Sequence, residues 1–131
     1  MILKYRAWNK KTQSFIDYGD LVLDLRSGKI YAGDIGLVES TIDVTDQIEL
    51  MQSTGMKDKN GVESWEGNYL VKDGYWPFFI KWIESEGLLM AVPVNSIQRT
   101  NWKHVSVKGL LDTGYINDGN IYENPELLEE Q

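Results

Sequence analysis

Apolar and polar side chains alternate with a period of two along most of this chain, and no other feature restricts the fold as tightly. In the opening stretch Leu3, Tyr5 and Ala7 alternate with Lys4 and Arg6. Successive side chains of a strand point to opposite faces, so this spacing predicts a half-buried strand from Ile2 to Trp8. Asn9-Lys10-Lys11-Thr12 is a polar turn, and Ser14 to Tyr18 is the return strand. Leu21 to Leu25 is a third strand, which Arg26-Ser27-Gly28-Lys29 turns into Lys29 to Ala32, a hairpin signal. Leu37 to Val44 and Gln47 to Ser53 follow as short strands.

The second half repeats the pattern. Asn60-Gly61 readily takes the positive φ values of a tight β-turn, with Lys57, Asp58 and Lys59 expected to hold its tip in solvent. Asn68 to Lys72, Tyr75 to Ile83, Leu88 to Val94, His104 to Leu111 and Tyr115 to Tyr122 read as strands. Pro77 cannot donate a ladder hydrogen bond, which places a bulge or an edge near the start of its strand. Gly67 marks a bulge or a close backbone approach. The tail departs from the period. Asn124 can cap a helix, Pro125 suits its first position and Glu126 suits its N-terminal dipole, so about one helical turn is expected over Pro125 to Glu130. Ile121 and Tyr122 are expected to anchor that tail as a final strand, with Leu127 and Leu128 packed on the same chain or on a second copy. Short strands with a turn signal about every eight to twelve residues predict an all-β sandwich or small barrel with little helix. The division expected is an N-terminal β region over residues 1–48 and a small β-barrel with the helical turn over 49–131.

Composition narrows the function classes. None of the 131 residues is cysteine, so disulfides and thiolate metal sites are excluded, and a reducing compartment is the natural setting. The first eight residues lack the apolar run of a signal peptide, and the longest apolar run, Leu88 to Val94, is too short to span a bilayer. These features predict a cytoplasmic protein that makes no use of a membrane. Twenty acidic against thirteen basic side chains give a net charge of -7, which disfavours broad binding to nucleic acid backbones. The charge is uneven, however. Lys4, Arg6, Lys10 and Lys11 lie in a segment without acids, as do Arg99, Lys103 and Lys108, while acids gather from Asp17 to Glu49 and in the tail.

No pattern announces catalysis. The one histidine, His104, has no nucleophile motif beside it, and the phosphate-cradling, dinucleotide and zinc-protease motifs are missing from the sequence. Asp43-Val44-Thr45-Asp46 is the best local carboxylate cluster, but it lacks the glycine and spaced oxygen ligands of a calcium loop. The expectation is therefore a protein that is not an enzyme and needs no cofactor or metal. Five tryptophans, seven tyrosines and three phenylalanines can fill a small β core, or form an aromatic groove beside the basic segments. The second reading defines a candidate interaction surface: Lys4, Arg6, Trp8, Trp76, Arg99, Trp102, Lys103 and Lys108.

Three stretches do more than composition can. They are Lys4-Tyr5-Arg6-Ala7-Trp8-Asn9-Lys10, the run from Leu50 to Asn68 with Thr54-Gly55-Met56-Lys57-Asp58-Lys59-Asn60-Gly61 at its heart, and Gly119-Asn120-Ile121-Tyr122-Glu123-Asn124-Pro125-Glu126-Leu127-Leu128. In this order they resemble the YopX family of small bacteriophage and prophage proteins. The chain departs from that pattern twice. Asn68 stands where Trp65-Glu66-Gly67 would be followed by aspartate, and Ser53 stands where an aromatic is common. The resemblance implies a mostly β protein whose C-terminal part forms a small SH3-like barrel, encoded by a phage and acting inside a bacterial host. It supplies no catalytic residues.

The expected function is that of a non-enzymatic accessory protein that binds another protein or a second copy of itself, since edge strands of small β domains invite pairing. Two further classes compete. One is nucleic acid binding, which requires Lys4, Arg6, Arg99, Lys103 and Lys108 to converge on one face. The other is imitation of DNA by acidic residues spaced like phosphates, to occupy a host protein's site.

Overall fold

The computed structural model describes residues 4–16, 21–32, 42–94 and 104–129. The protein is mainly β, as the alternation predicts, and it forms two compact units. One runs from Tyr5 to Leu50. The other comprises Lys4 and the chain from Met51 onward.

In the first unit, β1 (Tyr5–Asn9) and β2 (Ser14–Ile16) form a hairpin in which Trp8 lies opposite Phe15. The Asn9 side-chain oxygen accepts the N–H groups of Lys11 and Thr12, which makes the polar segment a turn. A second hairpin joins β3 (Leu21–Leu23) to β4 (Ile30–Ala32), and its turn is tied by the Asp24 carboxylate, which accepts the N–H of Arg26. β4 also pairs with the short β5 (Ile42–Asp43). Thr45 Oγ1 accepts the Ile30 N–H at 3.0 Å, while the Val44 N–H donates to Ile30 O at 2.8 Å. Ala7, Ile30 and Ile48 form the core, with Ile16, Leu21, Leu23, Val44 and Leu50 packed around them.

The second unit is built from the later part of β6 (Ile48–Lys57), then β7 (Glu63–Trp65), β8 (Asn68–Val71), β9 (Phe78–Ile83), β10 (Leu88–Pro93) and β11 (Ile116–Asn120). β6 pairs with β7, and the other four form an antiparallel half-barrel sheet in the order β10-β9-β8-β11. Leu70, Phe78, Ile80, Ala91, Val107, Leu111 and Tyr115 make its core. Pro77 lies just before β9, where no ladder bond is asked of it.

Two sequence expectations are corrected here. His104 to Leu111 is not a strand. Only Val105 pairs, in a single bridge with Ala91, and a helix follows, α1 (Val107–Asp112). Ser106 Oγ accepts the Gly109 N–H at 3.0 Å and so satisfies an N-terminal donor. Val107, Leu110 and Leu111 then share one face at helical spacing and close the core. The local cap and tertiary burial override a short alternation that fits either structure. In the tail, Ile121 and Tyr122 lie in a turn after β11 rather than in a strand. The helical turn does form, as α2 (Glu126–Glu129), and Leu127 is half-buried. The side chain of Leu128 lies outside the described residues, as do the expected strand residues of 17–18 and 37–41.

The turn before α2 is fixed by backbone geometry. Gly119 has φ +82, and a Cβ there would lie 2.4 Å from Asn124 Oδ1. Gly119→Ala should therefore lower stability by about 2–3 kcal/mol, combining left-handed strain with a displaced Asn124. Gly109 sits in α1 with ordinary space around an added Cβ. Gly109→Ala should raise stability by about 0.5 kcal/mol through helix propensity. Urea denaturation of the two variants checks both signs.

Candidate functional site

The central stretch, Leu50 to Asn68, carries one buried carboxylate. Asp58 is only 6% exposed, not held in solvent at the turn tip as its charged neighbours suggest. Its Oδ1 accepts the N–H groups of Asn60 at 2.9 Å and Val62 at 3.0 Å. Its Oδ2 accepts the Asn117 backbone N–H at 2.9 Å and the Asn117 side-chain amide at 3.1 Å. Asn117 Oδ1 in turn accepts Ser64 Oγ and Asn68 Nδ2, each at 3.0 Å, and Asn117 Nδ2 also donates to Val62 O. A carboxylate offers about four lone-pair sites, and here four N–H bonds occupy them. Burial pushes the Asp58 carboxyl up, but the donors of Asn117, Val62 and Asn60 outweigh it and hold the group below the usual aspartate value of 3.8. This arrangement braces the Asp58 turn against β11. It leaves the carboxylate no position from which to take a proton from a substrate.

The two departures from the family pattern sit in this neighbourhood. Asn68 donates an N–H that an ionised aspartate lacks, so its amide suits the acceptor oxygen of Asn117. Ser53 is buried, and its hydroxyl donates to Glu63 Oε2. Lys4 Nζ donates to the other oxygen, Oε1, at 2.9 Å. The Ser53 and Lys4 bonds hold the Glu63 carboxyl below its ordinary value. Next to these, Gly67 brings the backbone close: its N–H donates to Ile80 O, its carbonyl accepts Ile121 N–H, and a Cβ would meet Ile121, Met51 and Tyr122 at 3.5–3.6 Å. The tail is fastened by Tyr69, whose hydroxyl donates to Asn124 O at 2.9 Å.

The candidate interaction residues do not share one set of contacts. Lys4 is in the ion pair with Glu63 and lies 5.6 Å from the Trp65 ring centroid. Arg6 stacks its guanidinium over Phe15 in the first unit. Trp8 is 4% exposed and packs edge-on against Phe15, so its ring is core. Trp76 is half-buried, with Nε1 donating to Val94 O at 2.8 Å. Lys108 is exposed on α1 and pairs with Asp112 at 2.6 Å. Arg99, Trp102 and Lys103 lie outside the described residues. Asp43, from the best carboxylate cluster, accepts the hydroxyl and N–H of Thr45, which hold its carboxyl below the usual range. Among the described residues, no group of three or more His, Asp and Glu side chains could hold a metal ion.

What the sequence reading missed is the end of the β9–β10 hairpin. Trp82 is 44% exposed and Leu88 46% exposed. Register sets Leu88 opposite Ile83 and Leu89 opposite Trp82, just before the acidic turn Glu84-Ser85-Glu86-Gly87. The signal in the sequence was the run Trp82-Ile83 and Leu88-Leu89 flanking that turn, which makes both faces of the hairpin end apolar. The sheet edges are partly closed. Ala91 on β10 exchanges two 2.9 Å backbone bonds with Val105, and Asp58 takes the Asn117 N–H on β11.

The family described as YopX protein matches residues 4–129. The crystal structure of protein EF1440 from Enterococcus faecalis is similar at 27% identity, with a TM-score of 0.62, covering 98% of this chain and 99% of that one. No curated protein is significantly similar to this chain.

Removing the buried brace should destabilise the second unit. Asp58→Ala should lower stability by about 2–4 kcal/mol, because it strands N–H donors. The pH sign follows from the lowered carboxyl. Its contribution is complete above the unfolded value near 3.8 and is lost as pH falls through the lower folded value. Urea midpoints of the native chain should hold steady from neutral pH to about pH 5 and fall below about pH 4, and that fall should be shallower in Asp58→Ala.

Proposed function

The chain belongs to the YopX family, and we propose that this member is a non-catalytic phage or prophage protein that works in the host cytoplasm by binding another protein. The observation that carries this reading is Trp82 at the hairpin end, an exposed indole with Leu89 opposite it on the same face. Tryptophan is over-represented among residues that dominate binding energy at protein interfaces. On the β10-β9-β8-β11 sheet the route of contact is through side chains rather than strand addition, because Val105 already pairs with β10 and Asp58 already takes the β11 amide. A nucleic acid face has less support: Lys4 and Lys108 each sit in an ion pair, and Trp8 is core. Backbone binding needs clustered cations that are available to phosphates.

Capture from nuclease-treated host lysate tests the proposal. A specific protein should be retained by the native chain and lost with Trp82→Ala, while Leu88→Ser, on the other face of the hairpin, should retain it. Against the purified partner, Trp82→Ala should weaken affinity by about thirtyfold or more, as expected for a buried interface tryptophan, while leaving the fold's stability within about 0.5 kcal/mol. Capture that disappears with nuclease, or that Trp82→Ala retains, contradicts the reading.

A further inference from the structure

The turn around Asp58 carries one side chain that the fold does not use. Asp58 supplies the buried carboxylate, Asn60 donates an N–H to it, and the Gly61 N–H donates to Asp58 O at 2.9 Å. Lys59 is exposed and lines a cleft of about 360 Å³ with Lys72, Asp73, Thr113 and Gly114. Lys72 is fixed there from several sides. Its Nζ donates to Thr113 O at 2.6 Å and lies 4.4 Å from the centroid of the Tyr75 ring. Gly114 has φ +105, and an added Cβ would make ordinary contact with Lys72 Cε at 3.7 Å.

Three observations give this cleft a chemistry. An ammonium has three donors, and Thr113 takes one of those of Lys72. Lys4, Lys10 and Lys108 are each in an ion pair, whereas among the described residues Lys59 and Lys72 are in none. Two lysines and one aspartate leave the lining one positive charge in excess, on a chain of net charge -7. Tyr75 stands beside Lys72, 61% exposed, with the Lys72 ammonium over one face of its ring and Tyr115 edge-on at 6.4 Å. A ring that is both held and open is a stacking platform.

We propose that this cleft binds a nucleotide, its phosphate taken by Lys59 and Lys72 and its base set against the exposed ring of Tyr75. The same chemistry is offered by a free mononucleotide and by a nucleotide within a single strand. The acidic balance of the rest of the chain favours a short ligand over a long polyanion, which would meet repulsion beyond the cleft. The site is independent of the β9–β10 hairpin end and of any protein bound there.

Amide NMR titration of the full chain at low salt tests it, with three probes: adenosine monophosphate, inorganic phosphate and a 5′-phosphorylated single-stranded hexanucleotide. Shifts should gather at residues 59, 72–75 and 113–116. Lys59→Gln with Lys72→Gln should weaken all three probes by about tenfold. Tyr75→Ala should weaken the monophosphate by about fivefold or more and leave inorganic phosphate unchanged, since only a base can stack. Equal affinity for monophosphate and hexanucleotide assigns the free nucleotide, and tighter hexanucleotide binding assigns the strand. The proposal is overturned if none of the probes shifts these amides at millimolar concentration, or if the lysine and tyrosine variants bind as the native chain does. All variants change exposed or half-exposed positions, and native-like spectra of the unliganded variants show that the fold is kept.

Discussion

A carboxylate taken out of water is stabilised only if N–H groups replace the solvent it loses, and Asp58 is where this protein meets that condition in full. Four donors converge on it: two from its own turn, and two from Asn117 on β11, 59 residues further along the chain. Asn117 then gathers Ser64 and Asn68, so one amide and one carboxylate join β7, β8, β11 and the Asp58 turn. The same bonds take the N–H that the β8–β11 ladder leaves over, which blunts a sheet edge that could otherwise pair with another chain. The half-barrel is closed at that side by polar chemistry and at the other by Val105 and α1.

This division of labour separates structure from recognition. The residues that identify the family are mostly occupied with holding the fold: Asp58 with its donors, Gly67 against Ile121 and Tyr122, Gly119 against Asn124, and Asn124, whose carbonyl accepts the Tyr69 hydroxyl. Residues turned outward include Trp82 and Leu88 at the hairpin end, Lys59 on the cleft and Tyr75 beside Lys72. Buried polar groups thus serve the architecture, and the proposed binding role rests on exposed side chains at the hairpin end and the cleft.

Much of the local structure was legible in the sequence. Period two located the strands, Asn9, Gly28 and Asn60-Gly61 located turns, and Asn124-Pro125-Glu126 located the terminal helical turn, because each depends on neighbours in the chain. The failures share the opposite property. His104 to Leu111 alternates, yet Ser106 caps a helix whose apolar face the core accepts. Asp58 carries a charge between two lysines, yet the partner that buries it is Asn117. Trp8 neighbours the basic opening segment, yet it packs on Phe15. The proposed surfaces were hidden for the same reason: exposure of Trp82 and proximity of Lys59 to Lys72 are decided by pairings distant in sequence. The departures at Ser53 and Asn68 likewise gained meaning only from Glu63 and Asn117.

The backbone amide of Asn117 offers the most direct check on the brace, because it donates to the Asp58 carboxylate at 2.9 Å. Native-state hydrogen exchange at neutral pH reads the free energy of opening at that amide. The account predicts protection close to that of the Leu70 and Ile80 core amides, and its collapse in Asp58→Ala while the core amides retain part of theirs. Rapid exchange at Asn117 in the native chain, or protection that the substitution leaves intact, would contradict it.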